Sequence, residues 1–112
     1  MRSIYLILVA LIALTATAIA VATSHSTPAR SGEAVFGTNC ANCHTGGIGG
    51  FFSDAPDIED PEDWEALTPK GLDTLTANTI TGIGDMAARG ACAECTDEEI
   101  RAAVEYMLEN IQ

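Results

Sequence analysis

Hydrophobic and polar positions divide the chain into two unlike parts. From Ile4 to Ala22 the residues are almost unbroken apolar, and Arg2 is the only charge before them. That pattern reads as an export signal, with Ala-x-Ala cleavage sites at Ala18-Ile19-Ala20 and Ala20-Val21-Ala22. At 19 residues the stretch is also close to one membrane span. Residues 1–22 are therefore a signal peptide or an uncleaved N-terminal anchor. A polar linker over 23–31, with Pro28 in it, leads to a single domain over 32–112.

Within that domain apolar positions recur three and four apart, the period of amphipathic helices. Gly32 to His44 reads as a first helix with Val35 and Phe36 as its apolar patch. Asp60-Pro61 opens a short helical stretch to Leu67, with proline at a first-turn position. Thr68-Pro69 reads as the cap and start of another helix. Its inward face is Leu72, Leu75, Thr79, Ile80 and Ile83, ended by Gly82 and Gly84. Thr96-Asp97-Glu98-Glu99 has the form of a capping box. The helix behind it runs to about Asn110, with Ile100, Ala103, Val104, Met107 and Ile111 facing inward. No segment of the domain reads as a strand, so the fold class is all-α.

Composition narrows what such a domain can be. Aromatic residues make up 5% of the 112, a thin core that a buried cofactor would complete. All 16 acidic residues follow the apolar segment. The exported part faces them with Arg30, Lys70, Arg89 and Arg101, leaving it at −12. A charge of this sign excludes nucleic acid as a partner. Seven of the acids crowd between Asp54 and Glu65, either as a solvated loop or as a surface that steers toward a basic patch on a redox partner.

The chemistry concentrates at Cys40-Ala41-Asn42-Cys43-His44. Residues at i, i+3 and i+4 share one face of a helical turn. Both thiols and the imidazole can therefore address one flat ligand, which is the attachment pattern of haem c. Cys40 and Cys43 would form the two thioethers and His44 the proximal iron bond. A second C-x-x-C at Cys92 and Cys95 leaves open a four-thiolate zinc module, and a C-x-x-C alone also suits a thiol redox pair. The histidine directly after Cys43 favours haem. The glycine run from Gly46 to Gly50 would let backbone pass close to a flat cofactor, with Phe51 and Phe52 as wall or core in preference to an exposed aromatic contact surface. Trp64, the only tryptophan, either packs in the core or gives its N–H to a haem propionate. For the second axial position the candidates are His25, Met86 and Met107. Met86, in a glycine-flanked loop, is the choice, while Met107 reads as core on the buried stripe of the last helix.

These motifs together resemble the class I c-type cytochromes, and among them the short bacterial cytochrome c-five type. The resemblance rests on Cys-Ala-Asn-Cys-His, on Gly-Ile-Gly-Asp-Met before the second cysteine pair, and on the ending Thr-Asp-Glu-Glu-Ile-Arg-Ala-Ala-Val-Glu-Tyr-Met-Leu. It spans about Gly32 to Gln112. It implies a compact cytochrome c fold, about four short helices around one covalent haem, with the first and last helices crossing. It further implies that Phe36 and Tyr106 pack near that crossing, that the Pro56 carbonyl meets the second nitrogen of His44, and that Cys92 and Cys95 form a disulfide. Where the family has Met-Pro-Pro, this chain has Met86-Ala87-Ala88, a less restrained ligand loop. The function implied is a periplasmic single-haem electron carrier between respiratory redox partners, membrane-bound only if the N-terminal segment is retained, and not an enzyme. The rival is a haem sensor or enzyme with a labile sixth ligand.

Overall fold

The computed structural model describes residues 27–112. The apolar segment, His25 and the first part of the linker lie outside the described residues. Ser31 starts the helical body, its hydroxyl accepting the Ala34 N–H at 3.2 Å. Helix α1 (Gly32–Val35), a π-helical turn (Phe36–Cys40) and α2 (Ala41–His44) then follow without a break. The π turn has a local cause. The Thr38 hydroxyl donates to the Ala34 carbonyl at 2.9 Å, and the Asn39 amide donates to the Val35 carbonyl at 3.3 Å. Side chains thus compete for carbonyls of the preceding turn, and the Ala41 N–H bonds five residues back, to Phe36. A π turn holds one residue more than an α turn, so it re-aims the face on which Cys40, Cys43 and His44 lie.

The rest of the domain is α3 (Ile48–Ser53), two 3₁₀ turns (Pro61–Trp64 and Thr68–Lys70), α4 (Gly71–Thr81), a 3₁₀ turn at Ala88–Ala91, and α5 (Asp97–Glu109). Counting the run 32–44 as one body, the described residues form four helices and no strand. A lone antiparallel bridge joins Ile83 and Met86. Two boundaries differ from the sequence reading. Thr68 caps no α-helix: it opens a 3₁₀ turn, and Gly71 at φ 79° separates that turn from α4, which begins at Gly71 itself. Ile83, expected inward, is exposed, because Gly82 at φ 83° has already ended the helix and the helical period no longer applies beyond it. Thr76 takes an inward place instead.

The core joins two groups of side chains. Val35, Leu75, Cys92, Cys95, Ile100, Ala103 and Val104 pack where α1 and α4 meet α5. Phe36, Ile58, Trp64 and Met107 form the other group, and Cys40, Leu67 and Leu108 touch both. The crossing of α1 and α5 depends on Gly32, since a Cβ there would lie 2.1 Å from the Ala102 carbonyl oxygen. Beside it the Phe36 and Tyr106 rings stand 5.3 Å apart.

The start of α5 is held twice. Thr96 and Glu99 form the reciprocal capping box. The same Glu99 carboxylate receives the Arg30 backbone N–H at 2.9 Å and its guanidinium at 2.9 and 3.0 Å. Arg30 also reaches Cys95 Sγ at 3.1 Å. Arg30 and Ser31, assigned to the linker by composition, are thus fastened to the domain.

Those Arg30 hydrogen bonds, with the Thr96 N–H behind them, lower the Glu99 carboxyl from an ordinary 4.5 to about 2. A depressed carboxyl stabilises the fold above its unfolded value and ceases to do so as pH falls through the folded one. Stability should therefore drop between pH 4.5 and about 2. Glu99→Gln should be less stable at neutral pH and flatter across that window, as read from urea midpoints at a series of pH values. An unchanged slope would show that Glu99 does not carry the effect.

Candidate functional site

His44 ends α2 and is buried. Its Nδ1 lies 2.8 Å from the Pro56 carbonyl oxygen. A carbonyl can only accept, so Nδ1 carries the proton and the lone pair belongs to Nε2. The backbone of His44 is fixed as well, its carbonyl accepting the Ile58 N–H at 2.9 Å.

The loop that presents Pro56 is built by its own acids. Asp54, left-handed at φ 50°, turns the chain out of α3. Asp63 accepts the Asp57 N–H at 3.0 Å, Asp57 accepts the Glu59 N–H at 2.9 Å, and Asp60 accepts the Glu62 N–H at 3.1 Å. Three of the seven crowded acids therefore hold the loop's shape, a role the charge pattern alone did not disclose. Trp64 completes it, donating Nε1–H to the Asp57 carbonyl at 2.8 Å. Its ring lies 6.2 Å from that of His44. Between the two expectations for Trp64, core packing with a backbone acceptor is what the fold provides; the indole N–H already has its partner without a propionate.

Cys40 and Cys43 are free and half-buried on the turn that ends in His44. Burial, and after it the neighbouring Cys43, pushes the Cys40 thiol up. A thiol redox pair needs the opposite, a lowered thiol. Cys92 and Cys95 are joined to each other in a disulfide, so a four-thiolate zinc site is not formed. The donor set left between Cys40, the N-cap of α2, and His44 at its end is two unpaired thiols and one imidazole Nε2, which fits covalent haem.

The glycine run sets how α3 packs. Gly49 and Gly50 lie in α3, and a Cβ on them would come within 2.7 Å of the Asn42 carbonyl oxygen and 2.6 Å of the Cys43 carbonyl oxygen respectively. Their absent side chains let α3 close onto the α2 turn. The opposite face of α3 then points outward, so Phe51 and Phe52 are 83% and 81% exposed. They are not part of the core that the sequence reading offered as one of their places, and meet each other edge to face at 5.4 Å.

Met86 is half-buried in a separate loop. Its backbone exchanges hydrogen bonds with Ile83 at 2.9 and 3.2 Å. The loop continues through Arg89, Gly90 and Ala91, all left-handed at φ 59–63°. The Arg89 guanidinium donates to the Cys95 carbonyl and, at 2.8 Å, to Asp97. Met107 is buried against Phe36, Ile58 and Trp64. The structure thus gathers Cys40, Cys43, His44, Pro56 and Trp64, and ties Met86 through its loop to Cys95. The ties of Arg30 to Glu99 and of Arg89 to Cys95 and Asp97 escaped the sequence reading because no local spacing links those partners.

A model of the family described as cytochrome c oxidase, cbb3-type, subunit III matches residues 27–107. Cytochrome c5 of Ectopseudomonas mendocina is 37% identical over 81 residues, covering 70% of this chain and 88% of that protein. The chain belongs to the class I c-type cytochromes. Other relatives of this cytochrome include cytochrome c-555 of Chlorobaculum tepidum, 34% identical over 84 residues, with 71% and 74% of the two chains covered. Among solved structures it resembles a mono-haem ferrocytochrome c from Shewanella putrefaciens, with a TM-score of 0.58, 35% identity, and 74% and 96% of the two chains covered. It also resembles a chain in the crystal structure of the electron transfer complex of nitrite reductase with cytochrome c. The TM-score there is 0.64 and the identity 32%, with 72% and 94% covered. The cytochrome is a mono-haem electron carrier rather than an enzyme, and membership of this family implies haem c as its cofactor.

Proposed function

We propose that this cytochrome is a periplasmic carrier in which His44 and Met86 hold the two axial positions of a haem attached to Cys40 and Cys43. The observation that carries the reading is the His44 Nδ1–H bond to Pro56, on the helical turn that also holds two unpaired thiols. When bound, haem supplies the exchange of one electron between ferric and ferrous iron. The chain's own residues do the rest. Pro56 fixes the tautomer and orientation of His44, so Nε2 stays aimed and basic. Burial of His44 and Trp64 keeps water from that side of the site. A thioether from Met86 is a soft ligand that favours the reduced state and leaves no open position for substrate. No described helix is long and apolar enough to cross a membrane, and location beyond the cytoplasmic membrane rests on the export segment at 1–22.

The ligand assignment is tested by substitution. Met86→Ala should open the sixth position, lower the potential, admit carbon monoxide and remove the weak far-red methionine-to-iron band of the ferric protein. Met107→Leu is a volume-conserving swap in the core, costing under about 1.5 kcal/mol, and should keep the band. The reverse result would move the ligand to Met107. A wild-type protein without the band would favour the sensor or enzyme with a labile sixth ligand.

The acids that do not shape the Pro56 loop remain for docking. Electron transfer to a physiological partner should slow as salt rises, because attraction to a basic patch is screened over about 10 Å at 0.1 M ionic strength. A rate indifferent to ionic strength would leave the acidic surface with solubility alone. One structural neighbour comes from a complex of nitrite reductase with cytochrome c, so a reductase is a sensible first partner to assay.

A further inference from the structure

We propose that Arg89 is the positioning residue that holds the Met86 loop, and so sets how readily Met86 leaves the iron. The inference rests on the ligand reading above and concerns the same site. Residues 84–91 contain no proline, and their backbone is held to itself. Ile83 pairs with Met86, Gly90 N–H bonds the Ala87 carbonyl at 3.0 Å, and Cys92 N–H bonds the Arg89 carbonyl at 3.1 Å. None of these contacts ties the ligand loop to the core helices. Among the described residues, the side-chain hydrogen bonds that leave this loop all come from Arg89.

Its anchor points are the rigid ones. Cys95 is 4% exposed and Cys92 1%, and the disulfide joins them. Asp97 is the first residue of α5, the helix that gives the core more buried hydrophobic residues than any other described element. Arg89 is the less exposed partner of the pair, at 25% against 72% for Asp97. Its guanidinium thus serves two acceptors at once, a geometry that a planar fork of donors suits and a lysine does not. Arg89 also keeps a left-handed backbone that is unfavourable for any residue with a Cβ. A conformation of this kind persists only when other contacts impose it, and the two guanidinium bonds are such contacts. Loss of them would free the loop at the point three residues from Met86.

The test uses the haem-loaded ferric protein and imidazole, which enters the sixth position only after Met86 departs. A hydrogen bond to a charged group is worth about a factor of ten or more in an equilibrium, so Arg89→Ala should speed imidazole binding roughly tenfold. Asp97→Asn should speed it less, because the Cys95 carbonyl bond remains, and Arg89→Lys should recover part of the loss. The double variant Arg89→Ala with Asp97→Asn should be no faster than Arg89→Ala alone. Met107→Leu serves as the reference for general loosening: if imidazole binding tracks the melting temperature alike in Met107→Leu and Arg89→Ala, the role is merely structural and the inference fails. It fails equally if Arg89→Ala binds imidazole at the wild-type rate. Should Arg89→Ala not fold, a wild-type rate in both Asp97→Asn and Arg89→Lys overturns it. Met86→Ala separates the two ideas. Fast binding there with a wild-type rate in Arg89→Ala defeats the Arg89 role alone, whereas a wild-type rate in Met86→Ala defeats the ligand reading and this inference together.

Discussion

The hydrogen bond between His44 Nδ1 and the Pro56 carbonyl links the chemistry of this cytochrome to its fold. An unrestrained imidazole can rotate and can exchange tautomers, and in either case its basic nitrogen is not directed. Here one nitrogen is occupied by an acceptor that cannot donate, so the other is directed by elimination. The acceptor is itself fixed, because Asp57, Asp60 and Asp63 cap the loop around it and Trp64 bonds its backbone. The last described residue joins the same loop, through the Gln112 N–H on the Ile58 carbonyl. Local acid chemistry and the segment that follows α5 thus converge on one ring.

The start of α5 and the disulfide segment are organised by charge in a different way. Two arginines grip the disulfide segment, Arg30 from before the first helix and Arg89 from the Met86 loop. Each also meets a carboxylate in the first turn of α5, Glu99 and Asp97 respectively. Carboxylates at a helix N-terminus are favourable in themselves, and here they double as fastenings for flanking segments. In a protein with so large an acidic excess, each of its few cations has many possible partners. The two that pair near the disulfide each fasten a flanking segment to the first turn of α5.

What the sequence disclosed follows from how local the determining contacts are. The capping box at Thr96 and Glu99 was legible because both partners lie within one turn. So was the inward stripe of α5, where the helical period runs uninterrupted. The Cys40, Cys43 and His44 set was legible because its spacing is its chemistry. Thr68 misled because Pro69 follows an N-cap residue type, while Gly71 two positions on takes a backbone no helix continues through. Core was the wrong place for Phe51 and Phe52 because hydrophobicity alone suggested burial, whereas the glycines beside them give α3 its packing face. The ties from Arg30 to Glu99 and from Arg89 to Asp97 had no signature, since a salt bridge between distant segments is specified by the fold that brings them together.

The central claim is that His44, fixed by Pro56, and Met86 occupy the two axial positions of one haem. A proton magnetic-resonance spectrum of the reduced, diamagnetic protein tests it directly, because the haem ring current displaces protons lying over its face. The account predicts a three-proton singlet far upfield, assignable to the Met86 methyl, together with a His44 Nδ1 proton that exchanges slowly with water. A spectrum in which the Met86 methyl stays at its ordinary position and the His44 Nδ1 proton exchanges as in free histidine would contradict it.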